Sequence, residues 1–208
     1  MKYLAIDTTC ASLRVVLGTE DKTYRFCEEG KKASEILLTA IDGLLDEAGL
    51  ALADADVYAA VTGPGSFTGI RIGLNTVKTF ASVTGKKIVA VNSIEKLAYN
   101  TTEGATLGVV FAYANFCYVG VYDREGNCLA APEMITLDEA TARAGETEYA
   151  VVCDETAFEK LGIGKKDDPF ASLESAVNSA LKRGEAEDYR KIEPFYLIKS
   201  QAEREKGE

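Results

Sequence analysis

Apolar residues along this chain follow two different spacings, and the change from one to the other marks its elements. Tyr3–Ile6, Leu13–Gly18 and Thr23–Cys27 are short apolar runs divided by polar turns. They predict three strands, the last two joined as a hairpin by Thr19-Glu20-Asp21. From about Ser34 to Ala48 the spacing becomes helical: Leu37, Leu38, Ile41, Leu44, Leu45 and Ala48 form one stripe, which Gly49 ends. Val57–Val61 reads as a strand buried on both faces, and it runs into Gly63-Pro64-Gly65-Ser66-Phe67-Thr68-Gly69. A second long helix follows over about Ile70 to Val83, stopped by Gly85, then a strand over Lys87–Val91. Ser93 is expected to cap a short helix over Ile94–Tyr99. The order β-β-β-α-β-α-β-α predicts a mixed sheet flanked by helices.

The turn-like stretch Thr101–Gly104 divides the chain into an expected first lobe, 1–103, and a second, 104–208. The second lobe opens with strands at Thr106–Ala112, Cys117–Asp123 and Cys128–Ala131, with Arg124-Glu125-Gly126-Asn127 as a turn. Thr136 and Glu139 make a capping box for a short helix, and Tyr149–Cys153 is a strand. Asp168-Pro169 opens a helix that runs to Arg183 and stops at Gly184. Pro194–Ile198 is expected to be extended, and the charged tail Ser200–Glu208 to fray. Both halves begin strand-turn-strand and then add helices, which suggests duplicated lobes although no letter repeat links them.

Composition narrows the function. The chain contains no histidine, which excludes Ser-His-Asp or Cys-His catalysis and imidazole metal sites built from it alone. The formal charge of -10 argues against an independent grip on nucleic acid, because phosphate binding needs clustered Lys and Arg. Five cysteines without a Cys-x-x-Cys spacing suggest neither a disulfide framework nor a zinc ribbon, and read as reduced, buried thiols. Met1-Lys2-Tyr3-Leu4-Ala5-Ile6-Asp7 reaches an acid too soon for a signal-peptide core, and no apolar run reaches about 18 residues. The expected location is the cytoplasm.

Two segments are candidates for chemistry. Asp7, Thr8 and Thr9 follow the first strand, where backbone N–H groups and hydroxyls can approach a phosphate and a carboxylate can hold hydrated Mg2+. The same residues serve equally as an ordinary turn that satisfies its own backbone. Gly63, Gly65 and Ser66 lie between a strand and a helix, where an open helix N-terminus suits an anion. The alternative there is a tight connection that needs glycine for packing. The segment is neither a P-loop nor a Rossmann fingerprint. The helix over 70–83 carries apolar residues on more than one side, so it needs partners on more than one side.

Leu4-Ala5-Ile6-Asp7-Thr8-Thr9, the helix with Ser34-Glu35 and above all Gly63-Pro64-Gly65-Ser66-Phe67-Thr68-Gly69-Ile70-Arg71-Ile72-Gly73-Leu74 resemble the TsaB (YeaZ-type) family. The ending Pro194-Phe195-Tyr196-Leu197 with Ser200-Gln201-Ala202-Glu203 is also similar to it. The resemblance implies an actin/hexokinase-like α/β fold of two lobes with duplicated ribonuclease-H-like cores. It implies a non-catalytic subunit of the bacterial complex that adds threonylcarbamoyl to the tRNA adenosine beside the anticodon. Its expected partners are the catalytic subunit TsaD and the ATPase TsaE, with a homodimer when alone, tRNA only through the complex, and no membrane. No cofactor and no metal are expected. The docking surface is expected at Leu37, Leu38, Ile41, Ile70, Gly73, Leu74 and Val77, as one exposed apolar patch on the isolated protein. This sequence has Ala33 where relatives often carry a His, and Phe111-Ala112-Tyr113 where they often carry Asp-Ala-Arg. Two enzyme readings stand beside it: a phosphotransferase or ATPase of the same fold using Asp7, Thr8 and Thr9, and a peptidase, for which neither a metal ligand set nor an activated nucleophile is present.

Overall fold

The computed structural model describes residues 1–102 and 104–198. The expected fraying tail, 200–208, and the Ser200–Glu203 part of the family-like ending lie outside the described residues. The first half contains β1 (Tyr3–Asp7), β2 (Ser12–Gly18), β3 (Thr23–Glu29), α1 (Ala33–Ala48), β4 (Val57–Gly63), α2 (Phe67–Thr84), β5 (Lys87–Asn92) and α3 (Glu95–Ala98). The second contains β6 (Ala105–Tyr113), β7 (Phe116–Asp123), β8 (Cys128–Thr136), α4 (Leu137–Glu146), β9 (Ala150–Cys153), α5 (Glu155–Leu161), β10 (Lys165–Lys166) and α6 (Pro169–Arg183).

The two sheets have one topology. The first runs β3-β2-β1-β4-β5 and the second β10-β9-β6-β7-β8, which is the same order read from the other edge. In each, the first three strands pair antiparallel and the last two add in parallel. The duplication that the letters only suggest is therefore explicit in the strand order. This is the two-lobe actin/hexokinase-like plan: crossover helices cover a mixed sheet, and a cleft lies between two such units.

The third helix of each half packs on the other half's sheet. Ile94, the N-cap of α3, and Leu97 and Ala98 on it cluster with Val110, Tyr118, Tyr122 and Val152 of the second sheet. On α6, Leu173, Ala176, Val177 and Ala180 cluster with Tyr3, Ala5, Val16 and Val57 of the first. The expected division at 103/104 marks where the second sheet begins but does not divide the packing, because residues from 169 onward complete the first core. Ile192 joins that core, and Phe195 N–H donates to the Thr62 carbonyl at 2.8 Å. This exchange holds the two lobes together through α3 and α6.

Several local expectations change. Helix α2 starts at Phe67, three residues before the predicted start, because Ser66 caps it by accepting from Gly69 N–H. Ser93 does not cap α3; the Asn92 side chain accepts from Ile94 N–H at 2.8 Å and from Glu95 N–H at 3.2 Å instead. Strand β8 continues through Pro132, which an edge strand tolerates. Helix α5, which the sequence pattern does not announce, is capped by Asp154. All five thiols are free, but only Cys117 and Cys153 are buried; Cys27 and Cys128 are exposed because they lie on edge strands β3 and β8. No helix among the described residues is long and apolar enough to cross a membrane.

Candidate functional site

The end of β1 places Asp7 at the junction of the lobes. Its carboxylate is fully buried, with Oδ1 accepting from Thr9 N–H at 2.9 Å and Thr9 Oγ1 at 2.6 Å. Facing Oδ2, 3.1 Å away, is the Lys96 ammonium of α3, itself only 4% exposed. Lys96 also meets Asp167 Oδ2 at 3.3 Å, and Asn100 donates to Asp167 Oδ1 at 2.7 Å. Asp167 directly precedes the N-cap of α6. One lysine thus bridges a carboxylate at the end of β1 to one at the start of α6, through the helix exchange that joins the lobes.

The charge states follow from these neighbours. Burial alone pushes the Asp7 carboxyl up, but Lys96, Arg14 and the two Thr9 bonds outweigh it and hold it below the ordinary value. Burial works against the Lys96 ammonium, yet Asp167 and Asp7 more than compensate and raise it. Asp154, also buried, goes the other way: burial raises it more than its bonds from Ala157 N–H and Phe111 N–H lower it.

This arrangement does not suit a hydrated divalent cation at Asp7. Oδ1 accepts two hydrogen bonds from Thr9, and a fixed positive charge, the Lys96 ammonium 3.1 Å from Oδ2, stands where a metal ion would neutralise Asp7. The end of β6, which mirrors β1, carries Phe111-Ala112-Tyr113 and offers no carboxylate across the cleft. Among the described residues no group of three or more His, Cys, Asp or Glu is placed to hold a metal ion.

The glycine segment has a packing role. A Cβ on Gly69 would lie 1.7 Å from the Thr8 carbonyl oxygen, on Gly65 2.6 Å from the Thr9 carbonyl oxygen, and on Gly73 2.5 Å from Thr8 Oγ1. The glycines let the Asp7-Thr8-Thr9 turn rest directly on the start of α2. Thr8 Oγ1 donates to the Gly69 carbonyl at 2.7 Å, and Ser66 N–H donates to the Thr9 carbonyl at 2.8 Å. Asp7, Thr8, Thr9, Gly63, Gly65 and Ser66, the expected anion-binding set, are brought together where the turn after β1 meets the start of α2. Gly63, at φ 116, faces the Phe195 carbonyl, where a Cβ would come within 2.5 Å.

The expected docking residues divide sharply. Leu37, Ile41, Ile70, Gly73, Leu74 and Val77 are buried beneath α1 and α2 against the first sheet; only Leu38 is exposed, at 60%. The expectation of an exposed apolar patch at all seven is corrected: the helical stripe finds its partner in the chain's own sheet. A charge at Gly73 or Leu74 would test folding, not docking. What the two helices present outward is an open groove of about 480 Å³, with Leu38, Arg71, Ile72, Asn75 and Thr76 on its walls.

Comparison with known proteins agrees with this architecture. The family model described as "TsaD: tRNA N6-adenosine threonylcarbamoyltransferase" matches residues 28–182. The tRNA threonylcarbamoyladenosine biosynthesis protein TsaB of Bacillus subtilis is 32% identical over 62% of this chain and 58% of its own length. A tRNA N6-adenosine threonylcarbamoyltransferase of Agrobacterium fabrum is 40% identical over 38% of this chain and 21% of its own. YeaZ from Pseudomonas aeruginosa superposes with a TM-score of 0.76 at 23% identity, covering 94% of this chain and 99% of that one. Component A of (R)-2-hydroxyglutaryl-CoA dehydratase from Acidaminococcus fermentans shares the fold at a TM-score of 0.51 and 11% identity, over 92% of this chain and 98% of its own. The fold and cleft define a two-lobe actin/hexokinase-like protein. The chain belongs to the family that the matching model describes, the TsaD or glycoprotease-like family, and within it is similar to TsaB of Bacillus subtilis. It spans between 21% and 58% of the length of the first three curated relatives it matches.

Proposed function

We propose that this chain is a non-catalytic, activating subunit in the formation of threonylcarbamoyladenosine on tRNA, and that it docks the catalytic subunit TsaD through the groove between α1 and α2. The observation that carries the reading is Lys96, buried between Asp7 and Asp167 at 3.1 and 3.3 Å. Phosphoryl transfer in this fold needs a carboxylate free to organise a metal and phosphates, and here the chain neutralises that carboxylate itself. A peptidase reading finds no activated nucleophile: burial pushes the Cys117 thiol up to about 11 and the Cys153 thiol to about 12.

The groove supports the docking half of the proposal. Leu38 is 60% exposed and Val83, at the far end of α2, is 73% exposed, so the outer surface of the helix pair carries apolar side chains its own chain leaves uncovered. In the absence of TsaD the same face pairs two copies of the chain. The net charge of -10 suits a subunit that leaves phosphate neutralisation to its partner, so tRNA is reached through the assembly, which TsaE completes in the cytoplasm.

Leu38→Glu tests the interface. Leu38 lies outside the core, so the fold's stability should change by no more than about 0.5 kcal/mol. Binding to TsaD and self-association, followed by sedimentation velocity, should both weaken by at least about tenfold, equivalent to roughly 1.4 kcal/mol. A folded Leu38→Glu chain that binds TsaD as tightly as wild type removes the groove from the interface.

A further inference from the structure

The cleft also contains a buried positive charge that the chain leaves poorly matched. Arg14, on β2, is 5% exposed. Its closest carboxylate contact among the described residues is Glu155 Oε2 at 3.8 Å, and Glu155 is shared with Lys166. Among the described residues its guanidinium donates a hydrogen bond from Nη1 to Cys10 Sγ at 2.7 Å. That sulfur belongs to a thiol which burial pushes up to about 11, so it is neutral at ordinary pH. Arg14 Nε has no hydrogen-bond partner among the described residues, and Ser93 Oγ and Asp7 Oδ2 are in the same condition. Asp7 Oδ2 has the Lys96 ammonium nearby but no well-directed hydrogen bond from it.

All three atoms belong to residues lining one interlobe cavity of about 220 Å³. A buried guanidinium whose Nε has no hydrogen-bond partner among the described residues is costly, and such orphaned polar atoms are rare enough to call for an occupant. At about 220 Å³ the cavity lies just below the roughly 300–1,000 Å³ of ordinary small-molecule pockets, so it suits a small ligand. The guanidinium fork matches a carboxylate in two-point contact. Five acids line the cavity, Asp7, Glu29, Asp154, Glu155 and Asp167, against the three cations Arg14, Lys96 and Lys166, which favours a ligand with a single negative charge over one with two. Asp7 Oδ2 asks for a donor.

We propose that this cavity binds a small hydroxycarboxylate of about three or four carbons, its carboxylate held by Arg14 and Ser93 and its hydroxyl donating to Asp7 Oδ2. The site is distinct from the groove between α1 and α2.

The test is a titration of the intact chain with lactate, propionate, phosphate and chloride, read from the ¹⁵N–¹H signal of Arg14 Nε. Lactate is expected to shift that signal saturably. Propionate, which leaves Asp7 Oδ2 without a donor, should bind at least tenfold more weakly, and phosphate more weakly again. Ser93→Ala should weaken lactate at least tenfold; this variant keeps its fold, because Ser93 Oγ makes no hydrogen bond within the described chain. A lactate shift no larger than that from chloride, or lactate binding unchanged in Ser93→Ala, overturns the proposal. Propionate binding as tightly as lactate overturns the role of Asp7 in it.

Discussion

Lys96→Met is expected to cost about 3–5 kcal/mol of folding stability, although it removes one surface-distant side chain and leaves the helix propensity of α3 almost untouched. The cost comes from what stays behind. Two opposite charges about 3 Å apart, in a partly shielded site, attract by roughly 5 kcal/mol, but burying them costs several kcal/mol each. The intact triad is thus close to balanced, whereas Asp7 and Asp167 without Lys96 are two buried carboxylates with one cation fewer. Urea unfolding measures the loss. Its pH dependence identifies the cause. In the wild type the Asp7 carboxyl is held below its ordinary value, so its contribution is complete above about pH 4 and is lost as pH falls through the folded-state value. In the variant Asp7 lacks its cation and burial raises it, so lowering the pH towards 4 favours the folded state. The gap between the two proteins should therefore narrow from pH 7 to pH 4. A gap that is constant across this range would mean the lysine acts by packing its stem and not by its charge. Replacing all three residues, as Lys96→Met with Asp7→Asn and Asp167→Asn, should recover most of the lost stability.

Gly69→Ala should be comparably damaging, by at least about 3 kcal/mol, through a different mechanism. The added methyl would sit 1.7 Å from the Thr8 carbonyl oxygen, and both sides of that contact are backbone. Neither can swing away as a side chain would. Separating them also breaks the 2.7 Å bond from Thr8 Oγ1 to the Gly69 carbonyl, which fastens the turn after β1 to α2. Gly43→Ala is the control: it lies exposed in α1 with nothing within 4 Å of its Cβ position, so it should stabilise the fold by about 0.5–1 kcal/mol. The two midpoints, measured side by side, separate crowding from helix propensity. If Gly69→Ala were as stable as wild type, the turn would not rest on the helix in this way.

The strands and long helices are legible in the sequence because their apolar periods are local. Leu37, Ile41, Leu44 and Leu45 mark α1, and the unbroken apolar run of β4 marks a central strand. What periodicity does not carry is an address. The stripe Leu37-Ile41 and the stripe Ile70-Leu74-Val77 look the same whether a sheet or another molecule covers them, and the sheet is the answer. The α6 stripe likewise gives no sign that it returns to the first sheet. Lys96 escapes a reading of the letters for a related reason. One lysine in Ile94-Glu95-Lys96-Leu97-Ala98 reads as a solvated position, and its partner Asp167 is 71 residues away. The available signal is the charge itself, set between apolar neighbours in a very short helix. The glycine segment is legible as a special backbone, but its letters serve equally for an anion cradle and for a close chain crossing. The Cβ distances to Thr8 and Thr9 show why glycine is required for the close crossing.

The most direct measurement is tRNA threonylcarbamoylation by TsaD and TsaE, supplied with no further subunit, with this chain, or with its Lys96→Met, Asp7→Asn, Asp167→Asn form. Modification should rise when the chain is added, and the neutral triple variant, shown by circular dichroism to be folded and by sedimentation to bind TsaD, should raise it equally. A folded, TsaD-bound triple variant that leaves modification at the level seen without the chain would show that the cleft's charged groups take part in the chemistry, and would contradict a non-catalytic role for this subunit.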